Sequence, residues 1–479
     1  MTTHIEDNLS ISSRTLVSGS EKSEEESKRE NKTIKGSNKK KTIQYRTKNF
    51  LNLMLMSLAW LALFAGMRAT QAIFTKLNGD LGFYCLSLLF LAYALAQLFV
   101  APVVKFIGPR VSMLIGALCY SLFVLAQLKL VKWLIYTVSA LAGVGGALLW
   151  TGQVTYYVKI TTPSNRGTFG GIFTMFFLAG ALVGNLISSV LFNLTKIKTE
   201  TLFIILSCVS LLSLVLLSFL SKESKTKDQK KEKIEAKNIL NSEKETENEQ
   251  STEDQKYETS GKKSNEGKES DTSGINIFGA FKILGTLKGI LMIPMMLLLG
   301  LAISIVFGLL PPMLPLKVIP LVMLAFGSCN TLGCYITGKL ITKFGIFPIG
   351  IISFVISLGG TLFAFWADPN RIWIFYASFA LLGLGDAGIN TMYYPMIPIL
   401  WKDQIEEGIA ITMFLLSLSA AVSFFYMNYL SLFPNMLILA ILQFLAILFI
   451  IIMHTKVCKL NPTNDTQKGT EEEKEKLIK

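Results

Sequence analysis

Between Phe50 and Met453 the chain alternates long apolar runs with short polar turns. The runs match the roughly 17–25 residues that a helix needs to cross a bilayer core. Six fall at about Phe50–Ile73, Gly82–Val104, Val111–Gln127, Trp133–Tyr156, Thr168–Phe192 and Leu202–Leu220. Six more fall at about Ile290–Leu310, Ile319–Ile341, Ile346–Trp366, Ile372–Ile397, Gly408–Leu430 and Met436–Met453. The pattern predicts an all-α polytopic membrane protein. Residues 1–49, 222–274 and 455–479 are instead rich in Lys, Glu, Asn and Ser and lack apolar periodicity. Such segments cannot bury a core, so they are expected to be disordered tails and a disordered linker. The stretch INIFGAFKILGTLKG, just ahead of the seventh run, suits a helix lying at the membrane surface.

The runs also repeat. Gly143, Gly145, Ala147 and Thr151 of AGVGGALLWTGQVT recur as Gly383, Gly385, Ala387 and Thr391 of LLGLGDAGINTMYY. Gly170 and Thr174-Met175-Phe176 recur as Gly408 and Thr412-Met413-Phe414, and Lys105-Phe106 recurs as Lys343-Phe344. The expected organisation is therefore an N-terminal six-helix bundle, 50–221, joined by the 222–274 linker to a related bundle, 275–454.

Composition narrows the function. A mean hydropathy of +0.48, despite the charged tails, places most of the remaining chain in membrane. The net charge is +13, but the basic residues of the apolar regions are scattered singly over short turns and no basic stripe with interleaved aromatics appears, which argues against nucleic-acid binding. Only His4 and His454 offer imidazole, and the cysteines (Cys85, Cys119, Cys208, Cys329, Cys334, Cys458) show no metal-ligand spacing. No enzyme activity, metal or cofactor is expected. The basic flank at Lys39, Lys40, Lys41, Arg46 and Lys48, with Lys222, Lys225 and Lys227 after the sixth span, puts both tails and the linker in the cytoplasm. Asn193-Leu194-Thr195 would then be an outward sequon close to the membrane.

Twelve spans in two homologous sixes resemble the major facilitator superfamily in layout. Within it, ALLWTGQVTYYVK and GGIFTMFFLAGALVGNL resemble the Unc-ninety-three type (ion channel regulatory protein) branch. Trp150, Thr151, Gln153 and Tyr156 match its span-4 pattern, LWTAQGxYLT. Gly171, Ile172, Phe173, Gly184 and Asn185 match its span 5. Thr174 stands where that branch commonly has tryptophan, and Gly152 where it has alanine. The resemblance implies a central cavity between the halves, lined by spans 1, 4, 7 and 10. It also implies a conformational turn after span 2, here Lys105, Gly108 and Arg110 with Lys343 as the repeat counterpart. The acidic residue of the general facilitator turn is missing.

Within that frame, residues at i, i+4 and i+7 share a helix face, which groups Asp386, Asn390 and Tyr393 in span 10. The counterpart positions in span 4 are Gly146, Trp150 and Gln153. Both faces are more polar than their surroundings and are oriented to the cavity. Asp386 is the one acidic residue deep in a span and Arg68 the one basic residue. An unpaired charge at mid-bilayer costs about 3 kcal/mol, so each needs a partner or water. Counting about 1.5 Å per residue places Arg68 roughly 8 Å and Asp386 roughly 20 Å from the outer ends of their spans. Arg68 reaching outward to water therefore competes with direct pairing. Gly167xxxGly171 and Gly180xxxGly184 read as close helix contacts. Glu473, Leu477 and Ile478 fit an acidic dileucine sorting signal, which leaves plasma membrane and endosomal or lysosomal membrane both open.

Two functions remain: a transporter or facilitator of a small solute, and a non-transporting adaptor for a partner membrane protein. The resemblance implies the second, and the polar cavity face favours the first.

Overall fold

The computed structural model describes residues 47–129, 131–161, 163–195, 197–221, 277–401 and 404–455. All of the expected linker, 222–274, most of both expected tails, and the sorting residues Glu473, Leu477 and Ile478 lie outside them; residues 47–49, expected in the first tail, are the first turn of a helix. Among the described residues every span is helical. The first half comprises α1 (Thr47–Asn78), α2 (Asp80–Ile107), α3 (Pro109–Leu125, ending in a 3-10 turn to Leu128), α4 (Lys132–Ile160), α5 (Pro163–Asn193) and α6 (Thr199–Ser218). A short helix, α7 (Ile277–Leu284), precedes the second half: α8 (Leu287–Ser304), α9 (Ile319–Phe344), α10 (Ile346–Phe365), α11 (Ile372–Leu400), α12 (Ile405–Tyr426) and α13 (Leu432–Met453). Twelve of these are long and apolar enough to cross a membrane, in agreement with the sequence pattern. All the described residues from Leu55 on belong to one compact unit; the other unit, 1–54 and 224–255, contributes only the start of α1 to the described residues.

Local chemistry sets the breaks. Gly108 ends α2 at φ 89° and Gly345 ends α9 at φ 89°, a region that side chains with a Cβ disfavour. The two glycines follow Lys105-Phe106-Ile107 and Lys343-Phe344, so the sequence repeat also repeats in backbone conformation. Pro109 then opens α3 at a position where its missing N–H costs nothing. Thr286 caps α8 by accepting from the Gly289 N–H at 3.1 Å.

Packing carries the same symmetry. In the first half α4 packs on α2 and α3, and α3 on α6; in the second half α11 packs on α9 and α10, and α10 on α13. Between the halves, α2 packs on α12 while α5 packs on α9. Exchanging the halves turns one of these contacts into the other. The fold is two pseudo-symmetric six-helix bundles, as the repeat predicts.

Small residues allow the close approaches. On α5, a Cβ at Gly180 would lie 2.9 Å from the Leu61 carbonyl oxygen, and one at Gly184 would lie 2.0 Å from that of Ala65. Gly180xxxGly184 is thus a seat for α1. Gly171, by contrast, faces open space.

Candidate functional site

A cavity of about 2240 Å³ runs between the two halves. Its lining extends from Arg68 and Phe307 to the α2–α3 turn at Lys105, Gly108 and Arg110. The far end is closed by contacts between the halves. Thr75 donates to the Gly308 carbonyl at 3.0 Å, and Lys76 Nζ to the Pro312 carbonyl at 2.7 Å. Nearby, the Tyr84 hydroxyl meets that of Tyr429 at 2.8 Å and accepts from Asn428 Nδ2 at 3.1 Å. The acceptor Gly308 sits in a π turn, Ile305–Leu309, that continues α8.

All six cavity residues expected from the sequence, Arg68, Trp150, Gln153, Asp386, Asn390 and Tyr393, line this space. Their roles differ. Asp386 Oδ2 accepts from Asn330 Nδ2 of α9 at 2.7 Å. Asn390 turns back and donates to the Asp386 backbone carbonyl at 2.9 Å. The Tyr393 hydroxyl is shared with Thr412 of α12, so it ties two helices together. Gln153 is buried in the wall. Trp150 lines the cavity and also packs edge-on to Phe177 at 5.1 Å and against Phe64 at 5.5 Å. Gly146, on the same face of α4, does not line the cavity: a Cβ there would lie 2.6 Å from the Tyr120 hydroxyl, so Tyr120 covers it.

Arg68 lies deeper below the helix end than the sequence count placed it. The α1 helix continues to Asn78, well past the expected end at Ile73. At about 1.5 Å per residue, Arg68 therefore lies about 15 Å inside the helix end. Its guanidinium donates to Gln71 Oε1 at 3.1 Å and lies 5.0 Å from the Phe307 ring centre and 5.8 Å from that of Phe64. It forms no ion pair with Asp386: the two charges face one cavity separately.

Of the turn residues, Lys105, Gly108 and Arg110 line the near end of the cavity, whereas Lys343 does not and lies 5.2 Å from the Phe344 ring centre. Sequence reasoning missed Gln71, Gln97, Phe307, Asn330 and Lys339, all of which line the cavity. Asn330 and Gln97 carried a readable signal, since an amide inside an apolar span needs a partner just as Asp386 does. Among the described residues no cluster of His, Cys, Asp and Glu could hold a metal ion.

Comparison with known proteins decides the family. The profile described as Major Facilitator Superfamily matches residues 49–424. The chain belongs to the major facilitator superfamily. It is a multi-pass integral membrane protein, and its curated relatives agree with the sequence resemblance to the Unc-93-type branch. It is 25% identical to "UNC93-like protein MFSD11" of Xenopus tropicalis, over 83% of this chain and 94% of that protein. It is also 27% identical to "Putative potassium channel regulatory protein unc-93" of Caenorhabditis elegans, over 35% of this chain and 25% of that protein. Solved structures share the superfamily fold. A D-xylose-proton symporter aligns over 84% of this chain and 97% of its own at TM-score 0.58 and 12% identity. A peptide transporter aligns over 86% and 94% at TM-score 0.57 and 14% identity.

Proposed function

We propose that this major-facilitator protein moves a small solute through the cavity between its halves. The observation that carries the reading is the placement of Asp386, with Asn330 and Asn390, on the wall of a cavity that is closed at one end by contacts between the bundles. A buried carboxylate is costly at membrane depth unless it is used or paired, and here its partner is a neutral amide. Contacts at one end that join two pseudo-symmetric halves are what a rocking transporter must break to expose its site to the other side. Both tails and the linker are cytoplasmic on this reading, which the charge bias of the flanks supports, and the mouth beside Lys105 and Arg110 faces inward. On this reading the protein is not an enzyme and needs no cofactor, and its membrane is the plasma membrane or an endosomal or lysosomal one.

A second reading, a non-transporting adaptor that regulates a channel or escorts a receptor, is favoured by one observation. The α2–α3 turn, Val103 to Arg110, lacks the acidic residue of the general facilitator pattern. The regulatory name of one relative points the same way.

Solute uptake into proteoliposomes, run beside affinity purification from native membranes, separates the two. Saturable uptake supports transport. Stoichiometric recovery of one membrane protein without uptake supports the adaptor.

A further inference from the structure

We infer that the cavity binds an organic anion with an apolar or aromatic body, Arg68 holding the anionic group; this names a ligand class for the site described above and rests on its being a binding cavity. The guanidinium has five N–H donors in a planar fork, and its hydrogen bonding is to one neutral acceptor, Gln71. Neither Asp386 nor any other described carboxylate comes within ion-pair distance. A guanidinium about 15 Å inside the helix end, whose one opposite charge on the cavity wall, Asp386, lies beyond ion-pair contact, is stabilised by an anion that arrives and leaves. The fork geometry suits a carboxylate, sulfonate or phosphate, which can accept two parallel hydrogen bonds.

The surroundings specify the rest of the ligand. Beside the guanidinium stand Phe64 and Phe307, and Trp150 packs on Phe64; all three are on the cavity wall. Phe64 meets Tyr120 at 5.9 Å and Phe177 at 4.8 Å between ring centres, both edge-on. This surface offers stacking and dispersion and few hydrogen bonds, which a sugar would need in number. An apolar body fits there while the anionic head meets Arg68.

Two more cations lie toward the mouth without a carboxylate partner. Arg110 reaches the Ser218 carbonyl at 3.5 Å and leaves its Nε–H buried and unpartnered. Lys339 Nζ lies 4.4 Å from the Tyr335 ring centre. Both line the cavity. Among its lining residues Asp386 is the one acid, and its carboxylate already accepts from Asn330. The field along the path therefore draws anions inward and opposes cations.

The test uses the purified full-length protein in phosphatidylcholine nanodiscs and three probes that share one body: 4-phenylbutyrate, 4-phenylbutan-1-ol and 4-phenylbutylamine. Binding of labelled 4-phenylbutyrate is measured directly, with the other two as competitors. The expected result is a preference for the carboxylate over the alcohol of about ten-fold or more, lost in Arg68→Gln and partly restored in Arg68→Lys. Competition by acetate with phenylacetate, or by oleate, then distinguishes a water-soluble acid from a membrane-derived one; displacement by either supports the anionic class. Equal binding of the three probes, preference for the amine, or binding of none would overturn the inference, and these readouts need only wild-type protein. Because no transport is measured, anion binding without uptake would leave the ligand class standing and count against the transport reading alone.

Discussion

The seat of α1 on α5 gives a prediction whose size follows from the coordinates. In Gly184→Ala the new Cβ would lie 2.0 Å from the Ala65 carbonyl oxygen and 2.7 Å from its carbonyl carbon, and both atoms are backbone. Ordinary contact begins at 3.4 Å, so the helices must separate by about 1.4 Å or bend. Overpacking of this kind costs about 1–3 kcal/mol, and a backbone that cannot turn aside puts the cost near the top of that range. Alanine returns up to ~1 kcal/mol in helix propensity, leaving a net loss of about 2 kcal/mol. Gly171→Ala, on the same helix, meets nothing within 4 Å and should gain rather than lose. The two variants should thus differ by about 3 kcal/mol. Unfolding in mixed detergent micelles, followed by fluorescence of Trp60 and Trp150 beside this interface, measures the difference. Equal stability of the two variants would refute the argument that glycine at 184 is required by contact.

Three further outcomes are expected. Gly108→Ala has open space for its Cβ but must hold φ 89° and ψ 150°, so it should lose about 1–3 kcal/mol through backbone strain alone; the same unfolding assay reads this, and wild-type stability would contradict it. Thr75→Val with Tyr84→Phe removes contacts that close the far end of the cavity, and should raise the labelling rate of a cysteine placed at Val306 from that side by several-fold; an unchanged rate would show that other contacts hold the closure. Cysteines at positions 20 and 470 should react with an impermeant reagent only after permeabilisation, and labelling of either in intact cells would overturn the orientation.

The spans were legible because a lipid-facing helix must be apolar along its length, whatever its partners. The end of α1 was not, for the complementary reason. Beyond Ile73 the helix continues through Thr75, Lys76 and Asn78, polar residues that hydropathy reads as a loop. Thr75 and Lys76 remain helical against the other half, where the Gly308 and Pro312 carbonyls accept their hydrogen bonds. That shift explains why the depth of Arg68 was underestimated. At the site, single-sequence reasoning found Arg68 and Asp386, since a charge deep inside an apolar span is conspicuous, but not Lys339, which stands near the end of its span. It could not find Asn330 as the partner of Asp386, because 56 residues separate them and only the packing of α9 on α11 joins them. Nor could it place Phe307 beside Arg68, which depends on the π turn at the end of α8. Tyr393 lines the cavity, but the engagement of its hydroxyl with Thr412 is a tertiary fact.

The central claim, that this cavity is a solute path with Asp386 as a working group, is tested most directly by uptake into proteoliposomes carrying wild-type protein or Asp386→Asn. The substitution keeps size and the capacity to accept from Asn330 while removing the charge. The account predicts saturable uptake by the wild type and uptake at background in the variant, with both proteins eluting as the same folded species. Uptake unchanged in Asp386→Asn, or none by the wild type across a panel that includes organic anions, would contradict it.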